Sequence, residues 1–208
     1  MLAVPRKRVS GREPSDEEAR FYRQLDHWLK EECGYSWIMG TKPQTLAYAL
    51  SDSPVGLAAW IVEKFRAWSD CKGDLDAHFS RDVLLTNIML YWVTGAIGSS
   101  FWSYYARLHE PWIILPGDKV MVPMGYAEHP HEILTPPRCL AELAYGNIAR
   151  WTRMPSGGHF PALEAPQKFA EDIRAFFRPL RPSFEPVSHN DSLRAPTRLS
   201  RPRDRYGE

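Results

Sequence analysis

The chain has 208 residues, 44% of them hydrophobic and 25% charged, a balance typical of a globular protein with a sizeable core. Its formal net charge of +1 gives no strong field, so neither nucleic acid nor an anionic membrane is expected as a partner. The three cysteines are odd in number and lack metal-like spacing, which favours reduced thiols and a cytoplasmic location.

The first half of the chain predicts helices and no strand. A capping box, Ser15-Asp16-Glu17-Glu18, begins the first amphipathic helix, and Ser53-Pro54 begins another. Helices are predicted over 16–32, 43–50, 55–68, 80–92 and 97–109. We expect a connection over 35–40 and a polar loop over 69–79. The run 83–98 is the most apolar, but it is short for a membrane span, so we expect a helix there that is buried on nearly every side.

The second half has a different pattern. Two apolar segments bounded by turn residues predict strands over 119–125 and 148–152. A helix is predicted between them, over 137–145, and another after them, over 166–177. Alternating strands and helices are typical of an α/β protein with parallel strands.

Gly157-Gly158-His159-Phe160 is a candidate site for a catalytic base. Glycine permits positive φ and close backbone approach, and histidine is the side chain best suited to proton transfer at neutral pH. Glu132 and His159 each follow a predicted strand, so both should lie at the carboxyl edge of the sheet. There Glu132 could accept a hydrogen bond from one ring nitrogen and orient the other. Asp118, the nearest rival acid, precedes its strand, and an ordinary loop histidine with a solvated carboxylate is the alternative.

Two further observations limit the chemistry. A base of this kind serves a nucleophile on a glycine-flanked turn, and the sequence contains no Gly-x-Ser/Asp/Cys-x-Gly. A zinc site of His129 and His131 with Glu128 and Glu132 is an alternative, although Pro130 separates the histidines and no third ligand has a supporting motif. The tryptophans are expected mostly in the core, with several lining an apolar pocket.

A series of motifs in one order resembles the microsomal-type epoxide hydrolases. The segments Gly34-Tyr35, Asp52-Ser53-Pro54-Val55-Gly56 and Leu84-Leu85-Thr86-Asn87 resemble the lid of that family. Pro130-His131-Glu132 and Gly157-Gly158-His159-Phe160 resemble its segments for the relay carboxylate and the catalytic histidine, and the step of 27 residues from 132 to 159 also fits. The resemblance extends over about 16–180.

The resemblance implies a partial α/β-hydrolase fold, in the α/β class, with a helical lid followed by the last strands and helices of the sheet domain. The expected divisions are a flexible N-terminus over 1–14, the lid over 15–112, the core part over 113–180 and a disordered tail over 181–208. The implied activity is the hydrolysis of a small apolar epoxide to a vicinal diol through an alkyl-enzyme ester, with no cofactor.

By the same resemblance, four residues would carry the site. His159 matches the base that activates water, Glu132 matches its orienting acid, and Tyr35 and Tyr104 match the two lid tyrosines that donate to the epoxide oxygen. A phenol suits this role because it stays protonated at neutral pH. The neighbouring Tyr105 leaves open which phenol faces the site, and Trp102 stands where the family pattern has a basic residue.

The family's nucleophilic aspartate and oxyanion-hole loop have no counterpart in the sequence. We therefore expect a truncated or split gene product that needs a separately encoded N-terminal half. Two alternatives stay open. One is a non-catalytic binding or assembly module that kept the apolar pocket, and the other is a different α/β hydrolase, such as an esterase.

Overall fold

The computed structural model describes residues 12–111, 114–115 and 117–181. A helical region comes first, and a short parallel sheet with helices follows it. The helices of the first region are α1 (Asp16–His27), α2 (Gly34–Thr41), α3 (Pro43–Asp52), α4 (Pro54–Trp68), α5 (Leu75–His78), α6 (Arg81–Thr94), α7 (Ile97–Ser100) and α8 (Trp102–His109). The second region contains β1 (Met124–Glu128), α9 (Arg138–Ala141), β2 (Ile148–Arg153), α10 (Pro161–Glu164), α11 (Pro166–Phe177) and a 3-10 turn (Arg178–Leu180). Almost all of the expected flexible N-terminus and disordered tail lies outside the described residues.

The first helix begins as the sequence predicts. The Ser15 hydroxyl accepts a hydrogen bond from the Glu18 amide, and the Glu18 carboxylate accepts one from the Ser15 amide. This capping box satisfies two amide groups that have no partner within the helix. After His27 the chain continues as a π-helical turn, Trp28–Glu32, so the predicted extent to residue 32 is confirmed while the last turn is wider than an α-helix.

The expected connection over 35–40 is wrong, because these residues belong to α2. Gly40 lies against α8, where an added Cβ would meet the Leu108 side chain at 3.2 Å and the Tyr104 carbonyl oxygen at 3.5 Å. The helix is therefore stabilised by close packing on a distant segment, which local propensity does not encode.

One apolar core joins most of the helical region. Leu57 on α4, Ile88 on α6 and Phe101 between α7 and α8 are buried together. The break at Phe101 divides the predicted helix over 97–109 into α7 and α8, and the predicted polar loop over 69–79 contains the short helix α5.

The expectation that α6 is buried on nearly every side is also wrong. Only Leu84 and Ile88 of this helix are buried, whereas Leu85, Leu90 and Val93 are more than half exposed. Within the described part of the chain, α6 packs through one face only, and its apolar composition did not distinguish the two faces.

The sheet consists of β1 and β2, which pair in parallel. The second predicted strand is confirmed, but the first lies later than 119–125. Of the predicted segment, Val120 forms one isolated bridge, to Tyr145, before Pro123. The paired strand begins at Met124, with a register irregularity between Met124 and Gly125. A proline has no amide hydrogen for the ladder, which is consistent with regular pairing beginning after it. The helix predicted over 137–145 is shortened to α9.

The last helix, α11, has the predicted bounds and covers one face of the sheet. The Phe176 ring lies so close to Gly125 of β1 that an added Cβ there would be 2.7 Å from it. Asp172 of α11 accepts hydrogen bonds from Arg150 and Thr152 of β2, both at 2.7 Å. The packing of α11 therefore fixes the sheet whose carboxyl edge leads to Glu132 and His159.

Across the described ranges, no single helix has the length and apolar character needed to cross a membrane. Only α6 taken together with Ile97–His109 passes that test by length and composition, and this pair is bent by 102°.

Candidate active site

The loop that carries His159 depends on both glycines before it. Gly157 has a φ of +97°, a conformation that favours glycine. Gly158 lies against the end of α4, where an added Cβ would be 2.5 Å from the Trp68 carbonyl oxygen and 3.1 Å from the Asp70 amide nitrogen. The His159 amide donates to that same carbonyl at 2.9 Å. The predicted positive φ and close backbone approach are thus confirmed.

His159 and Glu132 form a hydrogen-bonded pair at the carboxyl edge of the parallel strands. The Nδ1 atom of His159 is 2.8 Å from Oε1 of Glu132, which also accepts a hydrogen bond from the Ile133 amide at 2.8 Å. Burial acts to raise the pKa of the Glu132 carboxyl, but the hydrogen bond and charge of His159 and the Ile133 amide outweigh it, so the pKa lies below its ordinary value. An ionised carboxylate can only accept, so Nδ1 carries the proton and Nε2 is left to interact with a ligand or water.

Tyr35 and Tyr104 meet across the interface of α2 and α8. Their ring centroids are 5.7 Å apart in an edge-on arrangement. Burial raises the pKa of the Tyr104 phenol, which keeps it protonated and able to donate. Tyr105 instead stacks on His109, with ring centroids 4.0 Å apart, and is partly exposed.

One cavity of about 370 Å³ is lined by His159 and both tyrosines. Most of its other walls are aromatic or aliphatic, and its polar lining includes Lys64 and Asn87. The volume and the largely apolar walls suit a small organic ligand with a few polar groups at defined places. Tyr105 is absent from the residues that line it, so Tyr104 is the phenol that faces the cavity.

No aspartate, glutamate or cysteine of the described ranges lines this cavity. Its one serine, Ser100, donates its hydroxyl to the Ile97 carbonyl oxygen at 2.7 Å. The His159 imidazole and two phenols therefore line a space to which the described residues bring no carboxylate or thiol, and Glu132 reaches His159 from outside the lining.

The residues of the zinc alternative point in different directions. His129 is buried, with Nδ1 2.9 Å from the Ser156 carbonyl oxygen. His131 lies near the surface, with Nε2 3.1 Å from Oδ1 of Asp70. Among the residues that the structure describes, no three histidine, cysteine, aspartate or glutamate side chains are grouped to hold a metal ion.

Two acidic residues that the sequence analysis missed hold the His159 loop. Glu164, at the end of α10, has a buried side chain that accepts three backbone hydrogen bonds, from Asp70, Gly158 and Phe160. The Asp70 side chain accepts a fourth, from the Gly157 amide at 3.2 Å. The sequence signal for Glu164 is weak. The helix α10 is a single turn that ends at this residue, and a glutamate in the first turn of a helix is most often exposed.

A second missed group lies beside Tyr35. The Lys64 ammonium is 3.0 Å from Glu32, and it lies over the rings of Tyr35 and Trp68 at 5.4 and 4.9 Å from their centroids. Glu32 also accepts a hydrogen bond from the Trp68 indole at 3.0 Å. This network joins the π-helical turn to α4 and fixes two aromatic walls of the cavity.

The chain is similar in sequence to epoxide hydrolases. It is 42% identical over 164 residues to epoxide hydrolase 1 of Oryctolagus cuniculus, a match that covers 75% of this chain and 36% of that protein. It is also 42% identical over 164 residues to juvenile hormone epoxide hydrolase 2 of Ctenocephalides felis, with 74% of this chain and 35% of that protein covered. No family model matches the chain.

Solved structures give the same result for the fold. The chain matches the juvenile hormone epoxide hydrolase of the silkworm Bombyx mori with a TM-score of 0.70 and 31% identity, over 81% of this chain and 43% of that one. It matches the Aspergillus niger epoxide hydrolase with a TM-score of 0.68 and 24% identity, over 87% of this chain and 44% of that one. This second match is evidence for the fold alone. The predicted fold class, a partial α/β-hydrolase fold, is confirmed.

The chain spans little more than a third of the length of the curated relatives it matches. A match over about three quarters of the chain includes residues of both the helical region and the sheet. In sequence and in fold, this chain is therefore homologous to a segment of the epoxide hydrolases and has part of their α/β-hydrolase fold.

Proposed function

We propose that the chain supplies the lid and the water-activating part of an enzyme that hydrolyses a small apolar epoxide to a vicinal diol. Residues 15–112 act as the lid, and residues 113–180 act as the C-terminal part of the core. His159 is the general base, Glu132 orients it, and Tyr35 and Tyr104 bind the epoxide oxygen.

The chemistry runs in two steps. A nucleophilic carboxylate attacks one epoxide carbon, the ring C–O bond breaks, and a tyrosine hydroxyl gives its proton to the departing oxygen. Nε2 of His159 then takes a proton from water while the water oxygen attacks the ester carbonyl. The acyl C–O bond breaks, the departing alkoxide takes the proton from the imidazolium to complete the diol, and the carboxylic acid that forms returns its proton to the tyrosinate. The imidazolium formed in this step is stabilised by Glu132 at Nδ1.

The observation that supports this proposal most directly is the shared cavity. His159 and the two phenols line the same largely apolar space of about 370 Å³. The pKa of Tyr104 is raised and that of Glu132 is lowered, so each group is in the protonation state that its role requires at neutral pH.

The nucleophile is proposed to come from the portion of the family's length that the matched region does not include. That portion would be joined to this segment in one polypeptide or supplied as a separately encoded N-terminal half. A cytoplasmic location is proposed from the odd number of cysteines without metal-like spacing.

A chimera tests the proposal. Residues 12–181 replace the matched segment of rabbit epoxide hydrolase 1, and turnover of an aryl epoxide is measured by diol formation. His159→Gln should reduce kcat by at least about 1000-fold, because the groups that hydrolyse the ester act as a unit. His109→Gln is the matched control, since this exposed ring lies outside the cavity, and it should keep kcat within about twofold.

Equal turnover by His159→Gln and the unsubstituted chimera would remove the base assignment. Binding of the epoxide without turnover, in a chimera that folds, would favour the non-catalytic binding module instead. Hydrolysis of a carboxylic ester in preference to the epoxide would favour an esterase.

A further inference from the structure

Glu164 is a buried carboxylate that has no place in the proposed chemistry. Its side chain is 1% exposed, and the cavity lining does not include it. Burying a carboxylate is costly unless hydrogen bonds compensate for lost water. The recorded hydrogen bonds to Glu164 come from backbone donors, and Nε2 of His78 lies 3.8 Å from its Oε2. Its Oε2 accepts from Asp70 at 2.6 Å and Gly158 at 2.9 Å, and its Oε1 accepts from Phe160 at 2.8 Å.

The three donors belong to two different parts of the fold. Gly158 and Phe160 flank His159, whereas Asp70 follows α4 in the helical region. The single carboxylate therefore ties the histidine loop to the end of α4. Two direct bonds complete the junction, from the His159 amide to the Trp68 carbonyl oxygen and from the Gly157 amide to the Asp70 carboxylate.

The contact between the His159 loop and the end of α4 also positions residues that line the cavity. Trp68 lies edge-on to the His159 ring, with centroids 5.2 Å apart, and edge-on to Tyr35 at 5.2 Å. A shift of the loop against α4 would change the distance between the base and the phenols together. Reactive groups tolerate such displacements poorly, because about 1 Å of misplacement can cost about 100-fold in rate.

We propose that Glu164 is a positioning residue that couples the helical region to the His159 loop and so sets where the His159 imidazole stands relative to Glu132 and the two tyrosines. The importance of this position for turnover rests on the proposed function. The coupling itself is a property of the described chain.

Amide hydrogen exchange of the 208-residue chain, followed by NMR, measures the coupling without any turnover. Glu164→Gln keeps the size of the side chain but removes the charge and places an NH₂ group among N–H donors. Exchange at Asp70, Gly158 and Phe160 should become roughly 10- to 100-fold faster, since hydrogen bonds to a charged acceptor are worth that much. The Nδ1 proton of His159, held by Glu132, should give a downfield signal that broadens or disappears in this variant.

Glu171→Gln is the matched control. This glutamate lies on α11 with about half of its side chain exposed, and it pairs with Lys168 at 3.3 Å. Its substitution should leave both readouts unchanged. Exchange rates within about twofold of wild type in Glu164→Gln, with the Nδ1 signal intact, would overturn the proposal.

If Glu164→Gln does not fold, amide exchange in the wild-type chain tests the coupling. Asp70, Gly158 and Phe160 should exchange far more slowly than Lys72 and Gly73, whose amides have no hydrogen bond recorded within the described part of the chain. Equal rates would refute the coupling.

The chimera separates this proposal from the proposed function. In the chimera, Glu164→Gln should lower kcat by about 100-fold with little change in KM, because the residues that line the cavity are unchanged while the His159 imidazole is displaced. Absence of turnover in the unsubstituted chimera would count against the proposed function alone, and the exchange experiment would still decide the role of Glu164.

Discussion

Gly158→Ala should destabilise the chain by about 2–4 kcal/mol through a backbone clash that no side-chain rotation can relieve. The new Cβ would lie 2.5 Å from the Trp68 carbonyl oxygen and 3.1 Å from the Asp70 amide nitrogen. Reaching an ordinary contact distance requires a separation of roughly 1 Å between the two backbones. Overpacking of this kind costs about 1–3 kcal/mol. Losing the 2.9 Å hydrogen bond from His159 to Trp68 adds about 1 kcal/mol.

Urea unfolding followed by circular dichroism measures this loss as a lower midpoint with an unchanged slope. Gly34→Ala is the matched control, because an added Cβ there meets nothing within 4 Å and the residue lies in the helix α2. It should be neutral or stabilising by up to about 1 kcal/mol. Equal midpoints for the two variants would refute the claim that the histidine loop depends on close approach to α4.

Three further predictions follow from the same structure. In the chimera, Tyr104→Phe should lower kcat/KM for the epoxide by about 100-fold, whereas Tyr105→Phe should change it by less than about twofold, as measured by diol formation. The hydrogen bond from the Arg12 guanidinium, with that from the Ser15 amide, lowers the pKa of Glu18 to about 2. The stability that this lowered pKa contributes is present above the ordinary value of 4.5 and is lost as the pH falls toward 2. The urea midpoint of the Glu18→Gln variant should therefore depend less on pH, between about pH 6 and 3, than that of the unsubstituted chain. Leu57→Ala, at a fully buried site, should cost about 2–5 kcal/mol, and Leu85→Ala, more than half exposed, should stay within about 0.5 kcal/mol in the same assay.

The elements that could be predicted are those whose signals are local. The capping box at Ser15 and the amphipathic period of α11 are contained in a few consecutive residues, and both elements begin where expected. The helix α2 and the faces of α6 depend on what packs against them, which the local pattern does not contain. The predicted position of the first strand is wrong because apolar residues lie on both sides of Pro123, whereas the strand pairs only after it.

The same distinction applies to the candidate site. The positions of Glu132 and His159 after two predicted strands indicated only that the two could meet, and the resemblance to the epoxide hydrolases favoured the pairing over an ordinary loop histidine. Their atoms lie 2.8 Å apart. The choice between Tyr104 and Tyr105 required the structure, because adjacent helical residues differ by about 100° in direction. Glu164 could not be identified, since its three donors come from backbone groups brought together by folding.

The proposed role of His159 is tested most directly by mass spectrometry of the chimera during reaction with an epoxide. The His159→Gln chimera should form the alkyl-enzyme ester but fail to hydrolyse it, because only the second step needs the base. The protein should therefore gain the mass of one substrate molecule and keep it, while the unsubstituted chimera returns to its original mass as diol is released. Release of diol by His159→Gln at the unsubstituted rate, with no accumulated adduct, would contradict the proposal that His159 activates the hydrolytic water.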